Sequence, residues 1–173
     1  SIDVNTLGAS EISKDKDFAN FFMKRMGYPI VPGSKTFFSD EWARKMGTPD
    51  RTIDAGYRYA KNLGFPVIVK PNSGSQGNGV SLVRNKQEFY RAMLAIFEHD
   101  RVSLIQRQVR GKDYRLVVLD KKVISAYERI PLNVIGNGVS TILNLLKSKQ
   151  EQFGGSGRDT QLRVDDPRIK EKL

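Results

Sequence analysis

A lysine placed directly before a glycine-rich loop is the part of this sequence with the clearest capacity for chemistry. Lys70 ends the β-branched run Val67–Val69, and the Ser73–Val80 segment after it alternates glycines with small polar residues. Glycine allows positive φ and close approach of another group, so several amides of such a loop can converge on one anion. Lys70 would add a positive charge beside them. We predict a clamp for a nucleotide triphosphate, and a flexible connection rich in turn formers stays open as the alternative.

The order of these residues excludes two other phosphate-binding loops. A Walker loop carries its lysine after the glycines and opens a helix, and a dinucleotide fingerprint also leads into a helix. Here the lysine comes first, and Gly79–Val83 continues as an apolar run typical of a strand. The stretch therefore predicts a strand, a glycine-rich loop and a second strand.

Composition limits the class of protein. With 173 residues, of which 39% are hydrophobic, the chain can form one sizeable core or two small lobes that share a cleft. Its net charge of +10 favours anionic partners such as nucleotides, carboxylates or nucleic acid, although a basic solvated surface gives the same value. The chain has no cysteine, no apolar signal core and no apolar run of membrane-spanning length, which predicts a cytoplasmic protein. Because it starts at Ser1, we expect a processed or shortened polypeptide.

Periodicity then predicts the elements that position the loop. A first helix is expected over residues 14–26, capped by Ser13 and stopped by Gly27. Its apolar residues recur at helical spacing and predict a buried face, formed by Phe18, Phe21, Phe22 and Met26. Further helices are expected over 51–63 and after the capping-box pair Asn85 and Glu88.

The second half of the chain is predicted to be mostly strand. Residues 102–106, 114–119 and 123–130 have strand patterns, with a turn at 120–122. Ser140 or Thr141 would cap a helix with Ile142, Leu145 and Leu146 inward. The whole pattern predicts an α+β fold with mostly antiparallel sheets.

Several segments in a fixed order carry a family resemblance. They are Lys14–Lys16, Gly27–Pro32, Val67–Pro71, the Ser73–Val80 loop, Ile105–Arg115 and Ala126–Ile142. Together they resemble the ATP-grasp superfamily of carboxylate–amine and carboxylate–thiol ligases. The last segment is most similar to the ligase domains of cyanophycin synthetases and bifunctional glutathione synthetases. The resemblance implies a partial ATP-grasp fold, with two small α+β lobes and a nucleotide cleft between them.

The resemblance also implies which residues hold the phosphates of ATP. Lys16 and Lys70 would bind the phosphates directly. The backbone amides of Ser75, Gln76 and Gly77 would cover the β- and γ-phosphates as a mobile flap.

Residues farther along the chain match the positions that hold the nucleoside and the acyl substrate. Gln106 would accept a hydrogen bond from the adenine amino group, and the backbone from Arg107 to Val109 would serve the rest of the adenine edge. Asp113 would accept from the ribose hydroxyls. Arg115 and Arg129 would act as catalytic residues that face the phosphates or the carboxylate, because guanidinium groups bind either one bidentately.

One part of the family's pattern is missing. Its magnesium ligands, an acidic residue and then Glu-x-Asn, follow the helix that Thr141 begins, and no such pattern precedes Leu173. The pair Asp165 and Asp166 lies in a charged tail and is not taken as a metal site. The resemblance therefore implies ATP and Mg²⁺ as cofactors of the intact enzyme, with the magnesium ligands outside this chain. We expect the 173 residues alone to be inactive.

The domain organisation follows from these assignments. Residues 1–64 would form a helical entry segment, 65–113 the nucleotide-binding lid lobe, and 114–150 the start of the second lobe. Residues 151–173 form a polar tail that we expect to be poorly ordered.

The predicted function is the ATP-binding portion of a ligase that works through an acylphosphate, with an anionic carboxylate as the second ligand. A non-catalytic nucleotide-binding or regulatory module without the metal half is the alternative. No membrane partner is expected, and a homo-oligomer stays open. A nucleic-acid partner is not expected, because the aromatic residues follow helix-core periodicities and do not form an exposed stacking strand.

Overall fold

The computed structural model describes residues 5–75, 77–155 and 169, and the chain divides into two compact units. Unit 1 is Ser1–Arg110 and unit 2 is Gly111–Leu173. The division falls three residues before the lobe boundary that the sequence predicts after residue 113. Each unit is described by itself.

Unit 1 contains five α-helices and a four-stranded antiparallel sheet among its described residues. The helices are α1 (Leu7–Lys14), α2 (Lys16–Arg25), α3 (Asp40–Lys45), α4 (Ile53–Leu63) and α5 (Lys86–Phe97). The strands are β1 (Lys35–Phe38), β2 (Val67–Pro71), β3 (Ser81–Val83) and β4 (Val102–Arg107). Their order in the sheet is β1-β4-β2-β3, with every neighbouring pair antiparallel. The α+β class and the hairpin around the glycine-rich loop are confirmed.

Side-chain caps define where the two long helices begin. The Thr52 hydroxyl accepts a hydrogen bond from the amide of Ala55 at the start of α4, and Gly64 ends that helix with φ of +83°. At α5 the Asn85 carboxamide accepts from the amide of Glu88 at 3.0 Å. The predicted start after Asn85 is therefore confirmed.

Helices α4 and α5 cover one face of the sheet and form the core of unit 1. The fully buried side chains of this core come from both strands and helices, among them Phe37, Val67, Val69, Phe89, Met93 and Ile105. Gly56 allows the close approach of α4, since a Cβ there would lie 3.1 Å from Phe37 and 3.2 Å from Ile105. The face covered by α4 and α5 is called the helix face below, and the opposite face of the sheet the lysine face.

The first predicted helix, over residues 14–26, is two helices. Ser13 lies inside α1, where its hydroxyl donates to the carbonyl of Ser10, so it is not an N-cap. The break comes at Asp15, which is extended (φ −93°, ψ 112°) and whose carboxylate accepts from the amide of Phe18 at 2.9 Å. A second capping residue two positions after the first explains the difference, because either could begin a helix.

The predicted buried face of that helix is wrong. Phe18, Phe21, Phe22 and Met26 are 56%, 54%, 40% and 68% exposed. The three phenylalanines pack on one another, with ring centroids 6.0 and 5.4 Å apart. Helical spacing shows which side of a helix is apolar but not whether another element covers it. The same finding removes these three residues from the case against a nucleic-acid partner, whereas Phe89 is fully buried as expected.

Unit 2 contains a hairpin and a helix among its described residues. The hairpin is β5 (Tyr114–Leu119) and β6 (Lys122–Glu128), and the helix is α6 (Ile142–Gly155). Asp120 and Lys121 both have positive φ, 47° and 64°, which is the conformation of a two-residue type I′ turn. The predicted turn is therefore confirmed.

Helix α6 differs in part from its prediction. Its first turn is capped by the Thr141 hydroxyl, which accepts from the amide of Asn144. Leu146 is buried, but Ile142 is 48% exposed and does not point inward.

Two further differences concern the predicted segments. The helical entry segment, residues 1–64, also contains β1, which pairs with β4 in the sheet. Residues 151–155, placed in the tail by sequence, continue α6. The rest of the tail, including Asp165 and Asp166, lies outside the described residues except for residue 169.

Among the residues that are described, no helix has the length and apolarity to cross a membrane.

Candidate functional site

The sheet register places Lys70 and Gln106 on the same face of unit 1. Lys70 lies opposite Leu104, and Gln106 lies opposite Ile68. Because side chains alternate between the two faces of a strand, these residues share the face opposite to Val67, Val69 and Ile105. That is the lysine face, and two of the predicted nucleotide-binding residues lie on it.

Lys70 has no anionic partner among the described residues of unit 1. Its ammonium group is half-buried and makes no hydrogen bond or ion pair with another described residue. Burial lowers the pKa of Lys70, and the nearby Lys16 ammonium lowers it further. A cation that is partly desolvated and faces a second cation is stabilised when an anion binds.

Lys16 binds the beginning of the glycine-rich loop. Its ammonium group donates to three consecutive carbonyl oxygens, those of Asn72 at 2.9 Å, Ser73 at 2.7 Å and Gly74 at 3.0 Å. Burial lowers the pKa of Lys16, although the carboxylates of Asp100 and Asp15 act in the opposite direction. The structure thus brings Lys16 and Lys70 together at the start of the loop, and their binding of phosphates stays a prediction.

The loop leaves part of its backbone unbonded. The amides of Asn78 and Val80 donate to the carbonyls of Ser75 and Gly77, at 3.2 and 3.3 Å. In contrast, the amides of Ser75 and Gly77 donate to no other described residue. These are two of the three amides predicted to cover the phosphates, and the third, that of Gln76, lies outside the described residues.

Gly79 fixes the return of this loop into β3. Its φ is +67°, and a Cβ at this position would lie 2.8 Å from Cγ of Pro71. A side chain is therefore excluded both by backbone conformation and by contact.

Sequence reasoning missed two residues that hold the start of the loop. The buried Asn72 accepts from the amide of Asp17 through its side chain, at 3.0 Å, and donates its own amide to the carbonyl of Val102, at 2.9 Å. Asp100 accepts from both the amide and the hydroxyl of Ser73, at 3.2 and 2.6 Å. A polar residue directly after a buried strand was the available signal for Asn72. Asp100 gave none, because its partner is 27 positions away.

Gln106 and the residues after it form the predicted base-binding segment. Gln106 is 9% exposed on the lysine face. The side chain of Arg107 points to the opposite face, toward Tyr59. Burial raises the pKa of Tyr59, and the positive charge of Arg107 reduces that rise. The amide of Arg107 donates to the carbonyl of Pro32 at 3.2 Å, so this group is already engaged. Val109 is 63% exposed and outside the strand.

The three predicted residues of unit 2 lie together on its hairpin. Arg129 donates twice to the carboxylate of Asp113, at 3.0 and 2.7 Å, and its amide donates to the carbonyl of the same residue. Asp113 directly precedes β5, whereas Arg115 lies within that strand, opposite Tyr127. The carboxylate and the guanidinium group predicted to meet ligands thus bind each other in the free chain.

The described residues do not form a metal site. No group of three or more His, Cys, Asp or Glu side chains among them is placed to hold an ion. The Mg²⁺ that the resemblance implies therefore finds no fitting ligand set in the described part of the chain.

The charged and hydrogen-bond-donating groups around the loop in unit 1 are of the kinds that bind an anion. Lys70 and Lys16 lie near each other, the amides of Ser75 and Gly77 in the following loop have no partner among the described residues, and the buried Gln106 shares the sheet face of Lys70. Polyphosphate carries the matching charge and oxygen acceptors.

Comparison with known proteins gives results that cover most of the chain. The model of the family described as D-ala D-ala ligase C-terminus matches residues 22–136. These residues include Lys70, the loop, Gln106 and the three unit 2 residues, whereas Lys16 lies before them.

Two curated relatives and one solved structure are representative. Cyanophycin synthetase of Trichormus variabilis is 30% identical over 154 residues, which cover 88% of this chain and 16% of that protein. Glutathione biosynthesis bifunctional protein GshAB of Clostridium perfringens is 34% identical over 100 residues, 56% of this chain and 13% of that protein. The D-alanine-D-alanine ligase of Helicobacter pylori is similar in fold, with a TM-score of 0.52 at 18% identity over 84% of this chain and 42% of that one. The chain spans about a sixth of the cyanophycin synthetase that it matches.

Proposed function

Because the chain belongs to the D-ala D-ala ligase C-terminus family of ATP-grasp ligases, we propose that it is the ATP-binding portion of an ATP-dependent ligase. The ligase would join a carboxylate to an amine or a thiol. The phosphates would lie at Lys70, Lys16 and the loop amides, with the adenine toward Gln106.

The single observation that carries this proposal is the ammonium group of Lys70, which has no hydrogen-bond or ion-pair partner among the described residues. Folding has partly desolvated a cation and placed Lys16 beside it, which lowers the pKa of Lys70 in the absence of an anion. Loop amides without a bonding partner lie on the same hairpin. A triphosphate would satisfy both at once.

The proposed reaction has two steps. A carboxylate oxygen of the substrate attacks the γ-phosphorus, so that an oxygen–phosphorus bond forms, the bond to the bridging oxygen breaks, and ADP leaves. An amine or thiol then attacks the carbonyl carbon of the acylphosphate; its new bond forms as the carbon–oxygen bond to phosphate breaks, and the nucleophile loses its proton. Both steps bring anions or developing negative charge together, so positioning and charge neutralisation are what this chain would supply.

Each group would have a separate part in that chemistry. Lys70 and Lys16 would offset the charge of the phosphates, and the amides of Ser75 and Gly77 would bind their oxygens. Arg115 and Arg129 would bind the carboxylate or the transferred phosphoryl group, for which Arg129 would have to leave Asp113. Asp113 would then accept from the ribose hydroxyls. The magnesium that the resemblance implies would neutralise phosphate charge in the transfer, and its ligands would lie outside the described residues.

A second candidate is a non-catalytic nucleotide-binding or regulatory module. The observation that favours it is the lack of an ion-holding carboxylate group among the described residues. The two candidates share the nucleotide site and differ in whether the reaction is completed.

Calorimetric titration of the chain with ATP and with AMP tests the shared claim. We expect ATP to bind more tightly than AMP, because only ATP carries the β- and γ-phosphates. Lys70→Ala should weaken ATP binding by roughly tenfold to a hundredfold, the value of a hydrogen bond to a charged group, and leave AMP binding unchanged. Phosphate release in the same mixtures should stay at the uncatalysed level.

Lys61→Ala is the matched control, since Lys61 is an exposed lysine on α4. Equal affinity of the unchanged chain for ATP and AMP, or equal losses in the two variants, would contradict the phosphate site. Steady phosphate release that Lys70→Ala abolishes would show instead that the chain completes the reaction by itself.

A further inference from the structure

We propose that Asp100 is a positioning residue that holds the start of the glycine-rich loop in place for phosphate binding. The proposal rests on the proposed function, since it assigns a role in the same site. For this purpose the loop root is Asn72–Gly74, and the loop tip is Ser75 together with Gly77–Gly79.

The carboxylate of Asp100 bridges the loop root and strand β4. Its Oδ2 accepts from the Ser73 amide at 3.2 Å and from the Ser73 hydroxyl at 2.6 Å, and its Oδ1 accepts from the Val102 amide at 3.1 Å. These hydrogen bonds lower the pKa of Asp100 even though burial acts to raise it. Asp100 is therefore ionised in the neutral range, when its hydrogen bonds to Ser73 are strongest.

Lys16 holds the same residues from the other side of their backbone. While Asp100 takes the amide and hydroxyl of Ser73, Lys16 takes the carbonyls of all three residues of the loop root. The amide and hydroxyl of Ser73 and all three carbonyls of the root thus bond charged side chains. Lys16 and Asn72 are 56 positions apart in the sequence. The bonds of Lys16 and of Asp100 to the root therefore depend on the tertiary fold and not on the local turn.

The contrast with the loop tip gives this arrangement its function. The tip is exposed, and the amides of Ser75 and Gly77 have no partner in the described part of the chain. Gly74, with φ of +81°, joins the fixed root to the tip and can absorb a change of direction. Asp100 would hold the loop root, and with it Gly74, at a fixed position relative to Lys70. The tip could then close on the phosphates while the root stays in place.

Asp100 would also hold the loop root when the Lys16 ammonium group leaves the root carbonyls to bind a phosphate. A phosphate that draws the Lys16 ammonium away removes three of the bonds that fix Asn72, Ser73 and Gly74. The bonds of Asp100 to Ser73 do not involve Lys16, so they survive that exchange. Asp100 would therefore matter most for ligands that carry β- and γ-phosphates.

Asp100→Asn tests this inference in the 173-residue chain. In asparagine an NH₂ donor replaces one of the two carboxylate oxygens, so the side chain cannot keep an acceptor at both the position facing Ser73 and the position facing Val102. Without nucleotide, the Ser73 amide should exchange with solvent about tenfold or more faster. ATP affinity should fall about tenfold, and AMP affinity should stay within about twofold.

Variants of Ser73 keep the test valid if Asp100→Asn destabilises the chain. Ser73→Ala removes the hydroxyl bond without touching Val102 and should lower ATP affinity by a smaller factor, whereas Ser73→Thr keeps a hydroxyl and should restore it. Glu98→Gln is the control, because it neutralises an exposed carboxylate two positions away whose recorded contact is with His99.

The outcomes separate the two proposals. Failure of the unchanged chain to prefer ATP over AMP would remove the proposed function, and this inference with it. A normal preference in the unchanged chain that persists in Asp100→Asn and Ser73→Ala would overturn this inference alone. So would equal losses for ATP and AMP, which would make the contact a general support of the fold.

Discussion

At the scale of single residues, the charged side chains differ in whether folding has given them a partner of opposite charge. Lys70 has no anionic partner in the described part of the chain, and its pKa is lowered by burial and by the nearby Lys16. Asp113 and Arg129 are the opposite case, since each already has its partner at 2.7 Å. Both are about half exposed, and exposed pairs of this kind contribute little to stability, about 0–1 kcal/mol. Exchange of Arg129 from Asp113 to a substrate would therefore cost little.

Gln106 gives a prediction about the accepted base. A carboxamide carries both an acceptor and a donor, so Gln106 could satisfy adenine or guanine by rotating. A glutamate only accepts, which suits the adenine amino group and repels the guanine carbonyl. Gln106→Glu should raise the ratio of ATP to GTP affinity by roughly tenfold to a hundredfold, the value of one mispaired polar contact. Competition binding with both nucleotides measures this ratio.

The matched control is Gln87→Glu, an exposed glutamine on α5. It should leave the ratio as it is. An unchanged or lower ratio in Gln106→Glu would mean that this residue does not face the base.

What the sequence could predict at this scale depended on distance along the chain. Lys70 and its loop are adjacent, so their combination was visible in the sequence. The bonds of Lys16 to the loop root cross 56 to 58 positions, and that of Asp100 crosses 27. The family resemblance implied that Lys16 binds phosphates, but neither its bonds to the loop root nor the bonds of Asp100 were predicted. No local pattern encodes which polar groups meet across a fold.

At the scale of elements, local signals predicted where most helices and strands lie but not which surfaces are covered. The caps at Asn85 and Gly64 and the turn at Asp120 are local, and all were predicted correctly. Strand β1 was missed because four residues, Lys35–Phe38, are too few to show a period. The exposed aromatic side of α2 was mistaken for core. The sequence of a helix shows which of its sides is apolar, whereas burial also requires another element that packs on that side.

The glycine-rich loop provides the prediction at this scale. Its tip is exposed and has three glycines with positive φ nearby, at positions 74, 77 and 79. We expect the amides of residues 74–80 to exchange rapidly in the free chain and to become protected when ATP binds, because the phosphates would accept their hydrogen bonds. Amide hydrogen exchange with and without ATP measures this change.

AMP serves as the control ligand for that experiment, since it lacks the phosphates that the loop would cover. Strong protection already present in the free chain would contradict a mobile flap. So would protection by AMP equal to that by ATP.

At the scale of the whole molecule, the net charge of +10 is consistent with an anionic ligand, and two of the positive charges, Lys70 and Lys16, lie near each other in unit 1. The fold class and the antiparallel sheets could be predicted because they depend on periodicity and connection lengths. The identities of the carboxylate and of the amine or thiol could not, because this chain corresponds to about a sixth of the cyanophycin synthetase it matches.

The central claim is that ATP binds on the lysine face of unit 1, beneath the glycine-rich loop. Backbone NMR of the isotopically labelled chain during titration with ATP tests it most directly. We expect the shifted amides to cluster at Lys70, at residues 74–80 and at residues 106–109. Amides in the middle of α4 and α5, on the helix face, should not move. Shifts confined to α4 and α5, or no shifts at saturating ATP, would contradict the account.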